Sequence, residues 1–153
     1  MKIKINIQRA TAITEIPTDK KIRNWVKMAL NRNKQVKDTE LTIRIVGMDE
    51  GTQLNRRWRN ASGPTNVLSF PVAGVKQYAP GLLGDIVICA PVVNNEAKDQ
   101  NKPVEAHWAH MVIHGVLHLL GHNHDNSEDA EKMESIEIAL LESLGFKNPY
   151  LLT

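Results

Sequence analysis

A chain of 153 residues, 42% of them hydrophobic, is long enough to bury one core and too short for two domains of ordinary size, so residues 1–153 are expected to form a single domain. No run approaches the roughly 20 uncharged apolar residues that span a bilayer, and "MKIKINIQRA" alternates charge with isoleucine instead of building the apolar block of a secretion signal. A cytoplasmic location with no membrane partner is expected, and the lone Cys89, in the apolar run "DIVICA", excludes an internal disulfide and reads as core. The net charge of +2 hides a split: residues 1–60 carry 14 Lys/Arg against 6 Asp/Glu, whereas residues 61–153 carry 5 against 11. A basic half suits an anionic polymer, although ordinary solvated helix faces give the same count.

In chain order, Ile3, Ile5 and Ile7 alternate with polar residues and read as a half-buried strand. Thr18 then caps a helix, "DKKIRNWVKMALNRN", whose Ile22, Trp25, Val26, Ala29 and Leu30 form one stripe and whose Lys20, Lys21, Arg23 and Lys27 face solvent. "ELTIRIVG" is a second strand. "MDEGTQLNRRWRN" is a short helix expected to carry Leu54 and Trp58 inward. "TNVLSFP" and "LGDIVICA" are two more strands, the latter apolar enough to be central, and residues 72–82 between them read as a loop. Helices follow over "PVVNNEAKDQN", which starts at its proline, and over "PVEAHWAHMVIHGVLHLLG", which ends at Gly121. The last helix, "NSEDAEKMESIEIALLESLG", turns Met133, Ile136, Leu140 and Leu144 inward and closes at Gly145. About four strands and about five helices in this order imply an α+β or α/β domain.

All six histidines lie between His107 and His124. Residues four apart on a helix differ by about 40° in direction and about 6 Å in height, so two imidazoles at that spacing reach a common point. His110, His114 and His118 form such a ladder, but its ends stand about 12 Å apart, too far for metal–nitrogen bonds of about 2 Å to join them all. The break at Gly121 lets the chain turn back and bring His124 toward His114 and His118, which makes those three the expected ligands. Three imidazoles leave a fourth tetrahedral position open, the layout of a catalytic rather than a structural site. His110 reads mainly as a supporting residue, while His107 and His122 read as surface. Asp125 either orients His124 or caps the next helix. The spacing H-x-x-x-H-x-x-G-x-x-H is that of the long zinc-protease motif, yet position 115, where those proteases place a glutamate base, is Gly115.

"HGVLHLLGHNHD", with "NRRWR" at 55–59, "PTNVLSFP" at 64–71 and "LLGDIVI" at 82–88, resembles the YbeY family of bacterial metal-dependent single-strand endoribonucleases, the rRNA maturation factors. The likeness runs along nearly the whole chain with the motifs in order. Family members vary where this chain has His122 and have Asp or Asn where it has Asn66. The resemblance implies an α+β fold with one zinc ion per chain on His114, His118 and His124, nickel or another transition metal being compatible with three imidazoles. It also implies activity in ribosomal RNA processing and ribosome quality control, with single-stranded RNA, rRNA, ribosomal particles and assembly proteins as partners. Arg59 is implied to face the metal across a cleft. Its catalytic role beside His114 makes chemical sense, because a planar, always-charged guanidinium suits a phosphodiester oxygen that gains charge.

The expected reaction is hydrolysis of single-stranded RNA, with a metal that polarises the phosphate or activates water. A metallopeptidase is the alternative argued from the shared spacing, and Gly115 weighs against it. A metal-stabilised RNA-binding assembly module without catalysis is the other. A monomer is the expected state.

Overall fold

The computed structural model describes residues 2–32, 38–72 and 81–151. The loop expected at 72–82 falls mostly on residues 73–80, outside the described ones, as does Asn33 at the end of the first expected helix. Strands β1 (Ile3–Ala10), β2 (Thr39–Val46), β3 (Val67–Pro71) and β4 (Leu82–Cys89) are joined by helices α1 (Asp19–Arg32) and α2 (Met48–Arg59) and followed by α3 (Ala90–Asp99), α4 (Val104–Leu119) and α5 (Ser127–Ser143). Among the described residues these elements make a single small α+β domain with a four-stranded sheet and five helices.

The sheet runs β1-β2-β4-β3. β1, β2 and β4 are parallel, with Ile5 opposite Leu41 and Ile43 opposite Ile86, and β3 returns antiparallel along the β4 edge with Leu68 opposite Val87. β4 is therefore central, as its apolar run predicted. Its alternation is read by two cores: Ile86 and Ile88 join Leu41, Ile43 and Ile45 on the face that carries α1, α4 and α5. Val87 and Cys89 join Val46 and Leu68 on the other face, with Leu54 of α2 against them. The Cys89 thiol is buried, and that burial pushes its pKa up, as for a core residue.

Local signals behave as their chemistry requires. Thr18 Oγ1 accepts from the Lys21 N–H at 3.3 Å, and the α1 stripe is buried as expected. Arg23 is not free, however. It is half-buried and donates to the Ile5 carbonyl at 3.0 Å, because its position on α1 overhangs the first strand. Trp108 of α4 is completely buried and its indole N–H donates to Asn94 Oδ1 at 2.7 Å, while Asn94 Nδ2 donates to the Glu15 carbonyl at 3.0 Å. The one polar atom of the largest core residue is thereby satisfied.

Trp58 contradicts its expected inward position. It is 58% exposed. α2 buries Gly51 and Asn55 and half-buries Leu54, and its last turn, Arg56–Arg59, is solvent-facing, so a residue in phase with Leu54 lies past the contact with the core and reaches Phe70 of the edge strand instead.

Candidate metal centre

α4 lies along the sheet because position 115 has no side chain. A β-carbon there would stand 2.9 Å from Ile86 Cγ2, closer than such contacts occur. The absence of the protease glutamate thus has a steric cause: this face of α4 is packed on β4. The flank roughly a quarter turn round the helix carries His110, His114 and His118. α4 then ends in a left-handed exit, with Gly121 at φ 101°. The Gly121 N–H bonds to the His118 carbonyl and the His122 N–H to the Leu117 carbonyl, both at 3.0 Å. That pattern satisfies the terminal carbonyls and reverses the chain.

The reversal brings His124 beside His114 and His118. Ring centroids are 4.6 Å apart for His114–His118, 5.1 Å for His118–His124 and 5.8 Å for His114–His124. One ligand atom from each lies within 4.8 Å of the others. His114 Nε2 and His118 Nε2 are 3.1 Å apart, near the roughly 3.3 Å that two nitrogens on a tetrahedral zinc would show. His118 is held down to about 4 by burial first and then by the charges of His114 and His124, so its ring stays neutral, as a ligand must be.

The third-turn neighbour of this cluster is a carboxylate on another helix. Glu137 of α5 is fully buried, and its Oε2 accepts from His114 Nδ1 at 2.6 Å. Its Oε1 accepts from the Tyr150 hydroxyl and from His110 Nε2, the latter at 3.3 Å. Burial alone would push this carboxyl up, but the hydrogen bonds and charges of His110 and His114 outweigh it and hold the group at about 2. An ionised Glu137 accepts only, which places the His114 proton on Nδ1 and leaves the Nε2 lone pair facing the cluster. The Tyr150 hydroxyl is pushed up, by burial first and then by Glu137, and remains a donor. His110, His114 and Glu137 also bring ligand atoms within 4.8 Å, but an ion there would displace the His114–Glu137 hydrogen bond. A cavity of 260 Å³ opens on His114, His124, Met133, Glu134, Glu137 and Tyr150.

His107 departs from its expected surface position. It is 4% exposed, and its Nε2 donates to Glu96 at 2.9 Å, since the first turn of α4 is covered by α3. The hydrogen bond from His107 lowers the Glu96 pKa against the opposing effect of burial, and Asn66 adds a second donor at 3.1 Å. His122 is half-buried rather than fully exposed. The cap of α5 is Asn126, whose Oδ1 accepts from the Asp129 N–H at 2.8 Å, not Asp125. Arg59 ends α2 and is exposed; among the described residues no hydrogen bond, ion pair or ring contact joins it to the histidines. The elements nevertheless converge on β3, with α4 packed on it and Trp58 of α2 against its Phe70. Glu137 escaped the sequence reading although a signal existed: it sits on the buried stripe with Met133, Ile136, Leu140 and Leu141, where a carboxylate needs partners.

Fold and site together define a small α+β protein whose longest apolar helix and its exit present a possible histidine-rich metal site. The family model for endoribonuclease YbeY matches residues 4–145, and the chain belongs to that family of metalloenzymes, which hydrolyse RNA. The fold is also similar to the solution structure of TM1509 from Thermotoga maritima, at 26% identity and a TM-score of 0.59, over 94% of this chain and 91% of that one. Among the described residues no helix is long and apolar enough to cross a membrane.

Proposed function

We propose that residues 1–153 form one metal-dependent endoribonuclease domain that cleaves single-stranded RNA in late 16S rRNA maturation and ribosome quality control, as a cytoplasmic monomer. Family membership supports an endoribonuclease role in rRNA processing. The observation that carries the metal dependence is the three-imidazole cluster with its His114 ring oriented by the buried carboxylate of Glu137. His114, His118 and His124 would hold the ion, with zinc the first choice and nickel or another transition metal compatible. When bound, such an ion supplies Lewis-acid polarisation of a phosphoryl oxygen and a lowered pKa for water.

The chain's own residues do the remaining work. Glu137 fixes the tautomer and direction of His114. Arg59, at the exposed end of α2, is assigned to the phosphate oxygen that gains charge, and the basic N-terminal portion to the RNA backbone, which makes binding salt-sensitive. Ribosomal particles and assembly proteins are the proposed surroundings. A peptidase reading is disfavoured because the position of the protease base is sterically closed by Ile86.

The test is single-turnover cleavage of a labelled single-stranded RNA at saturating protein, with metal content measured in parallel. Wild type is expected to hold about one ion and to cleave, and His114→Ala to lose both while still binding RNA. Arg59→Glu should keep its metal and slow by about 100-fold or more, and Arg59→Lys should recover part of the rate. Equal cleavage by wild type and His114→Ala would refute the metal dependence; wild-type rates in Arg59→Glu would remove Arg59 from the site. A wild type that binds RNA and never cleaves it would favour the assembly-module reading.

A further inference from the structure

The indole of Trp58 is out of place for an apolar side chain and well placed for something else. It is 58% exposed in the last turn of α2, where Arg56, Arg57 and Arg59 are exposed too. The ring is braced rather than loose. Phe70 of the edge strand β3 meets it edge-on at 5.9 Å and 71°, and the Arg57 guanidinium lies over it, 5.3 Å from the ring centre. Asn60 ends α2 in a left-handed turn at φ 53°, and its N–H bonds back to the Arg56 carbonyl at 3.1 Å. The helix therefore closes in a hydrogen-bonded turn directly after the tryptophan.

A large aromatic held in water among cationic side chains is available to a partner of opposite charge. The charge around it selects the partner's sign, and the part of the ring that Arg57 and Phe70 leave exposed offers a flat partner a place to stack. We infer that Trp58 is a base-stacking platform for single-stranded RNA, with Arg56 and Arg57 holding the flanking phosphates. The inference rests on the proposed function for its class of ligand. It adds a subsite that recognises a nucleobase by its face, tolerant of sequence because every base has one. Duplex RNA keeps its bases paired and stacked and offers no free face, so the platform also supplies a physical reason for single-strand preference.

Two further facts make the site readable. Trp25 is 3% exposed and Trp108 is 0% exposed, so of the chain's three tryptophans only Trp58 can touch a ligand in water. Quenching of intrinsic fluorescence by a bound oligonucleotide therefore reports this one position. The probe is a short single-stranded oligouridylate, with two controls: the same backbone carrying abasic positions, and a duplex of equal length. Protein as purified is used, with the quench read at mixing before cleavage proceeds, and chelator-treated protein is run beside it.

Wild type is expected to bind the oligouridylate with a quench, to bind the abasic strand more weakly, and to show no quench with the duplex. Trp58→Ala should weaken oligouridylate binding about fivefold to tenfold, the lower part of the range for one stacked base, and should bind the abasic strand as wild type does. Trp58→Phe should restore most of the affinity, which separates stacking from general disturbance of α2. Arg57→Ala should weaken both strands and lessen the salt dependence. Equal affinities of wild type and Trp58→Ala for base-bearing RNA, or an equal quench by the abasic strand, would overturn the inference while leaving RNA cleavage standing. A wild type with no affinity for single-stranded RNA would remove the proposed function itself.

Discussion

Glu137→Gln tests whether the carboxylate behind His114 shapes the candidate metal centre. The substitution keeps volume and one acceptor oxygen but replaces the other oxygen with an NH2 group. Three donors converge on this carboxylate, from His114 at 2.6 Å, from His110 at 3.3 Å and from the Tyr150 hydroxyl. One of them must therefore face another donor or turn away. Loss of one hydrogen bond to a charged group costs about 1.5–3 kcal/mol. At about 2–4 °C per kcal/mol for a chain of this size, the metal-free midpoint should fall by roughly 3–12 °C. His110 has a way to relax, because its Nδ1 is buried without a partner among the described residues and can take the proton; that favours the smaller figure. His114 loses the fixed Nδ1 proton that aims its Nε2, so metal affinity should drop about 10- to 100-fold. The assay is competition against a chromophoric chelator, paired with the visible spectrum of the cobalt-substituted protein. A folded Glu137→Gln protein with wild-type affinity and an unchanged cobalt spectrum would refute the reasoning.

Two more outcomes follow from the packing. Gly115→Ala should be destabilising by about 1–2 kcal/mol in urea unfolding, since forcing a methyl against Ile86 outweighs the helix-propensity gain of up to about 1 kcal/mol; a stabilised variant would show that α4 and the sheet are not tightly apposed. Glu96 has a pKa held below its ordinary value of 4.5, first by the hydrogen bond from His107. The folded state therefore binds fewer protons than the unfolded one near that pH, so the stability contributed by Glu96 is full above 4.5 and is lost as pH falls through the lowered folded value. Urea midpoints of wild type and Glu96→Gln should differ at neutral pH and converge in acid, and a constant gap from pH 7 to 3 would exclude the linkage.

Much of the histidine cluster was legible because its geometry is local. Helical spacing puts His114 and His118 on one flank, and a glycine exit is the chemistry that turns a chain within three residues. The stripes of α1 and α5 were legible for the same reason, as was the central place of β4, whose apolar run needs cover on both faces. Orientation against distant elements was not. Trp58 is in phase with Leu54 and reads as buried, and only the position of α2 relative to β3 shows that its last turn extends past the contact. His107 looks like a surface residue until α3 and Glu96 are laid over it. Glu137 is 23 residues from His114, and no local period connects them. Strand order and the parallel pairing of β1 with β2 likewise depend on crossovers that the pattern of each strand does not encode.

The three candidate ligands come from a stretch of eleven residues, His114 to His124, and this compactness bears on how an ion would couple to folding. A ligand stabilises a fold only by the excess of its affinity for the folded chain over the unfolded one, and unfolded histidine-rich segments bind metals. An unfolded chain keeps these three imidazoles within a short loop whose closure costs little entropy. Added metal should then raise the melting temperature by less than the affinity of the folded site implies. Capture of an ion would need only this segment, whereas the Glu137 contact to His114 exists only where α5 is packed against α4.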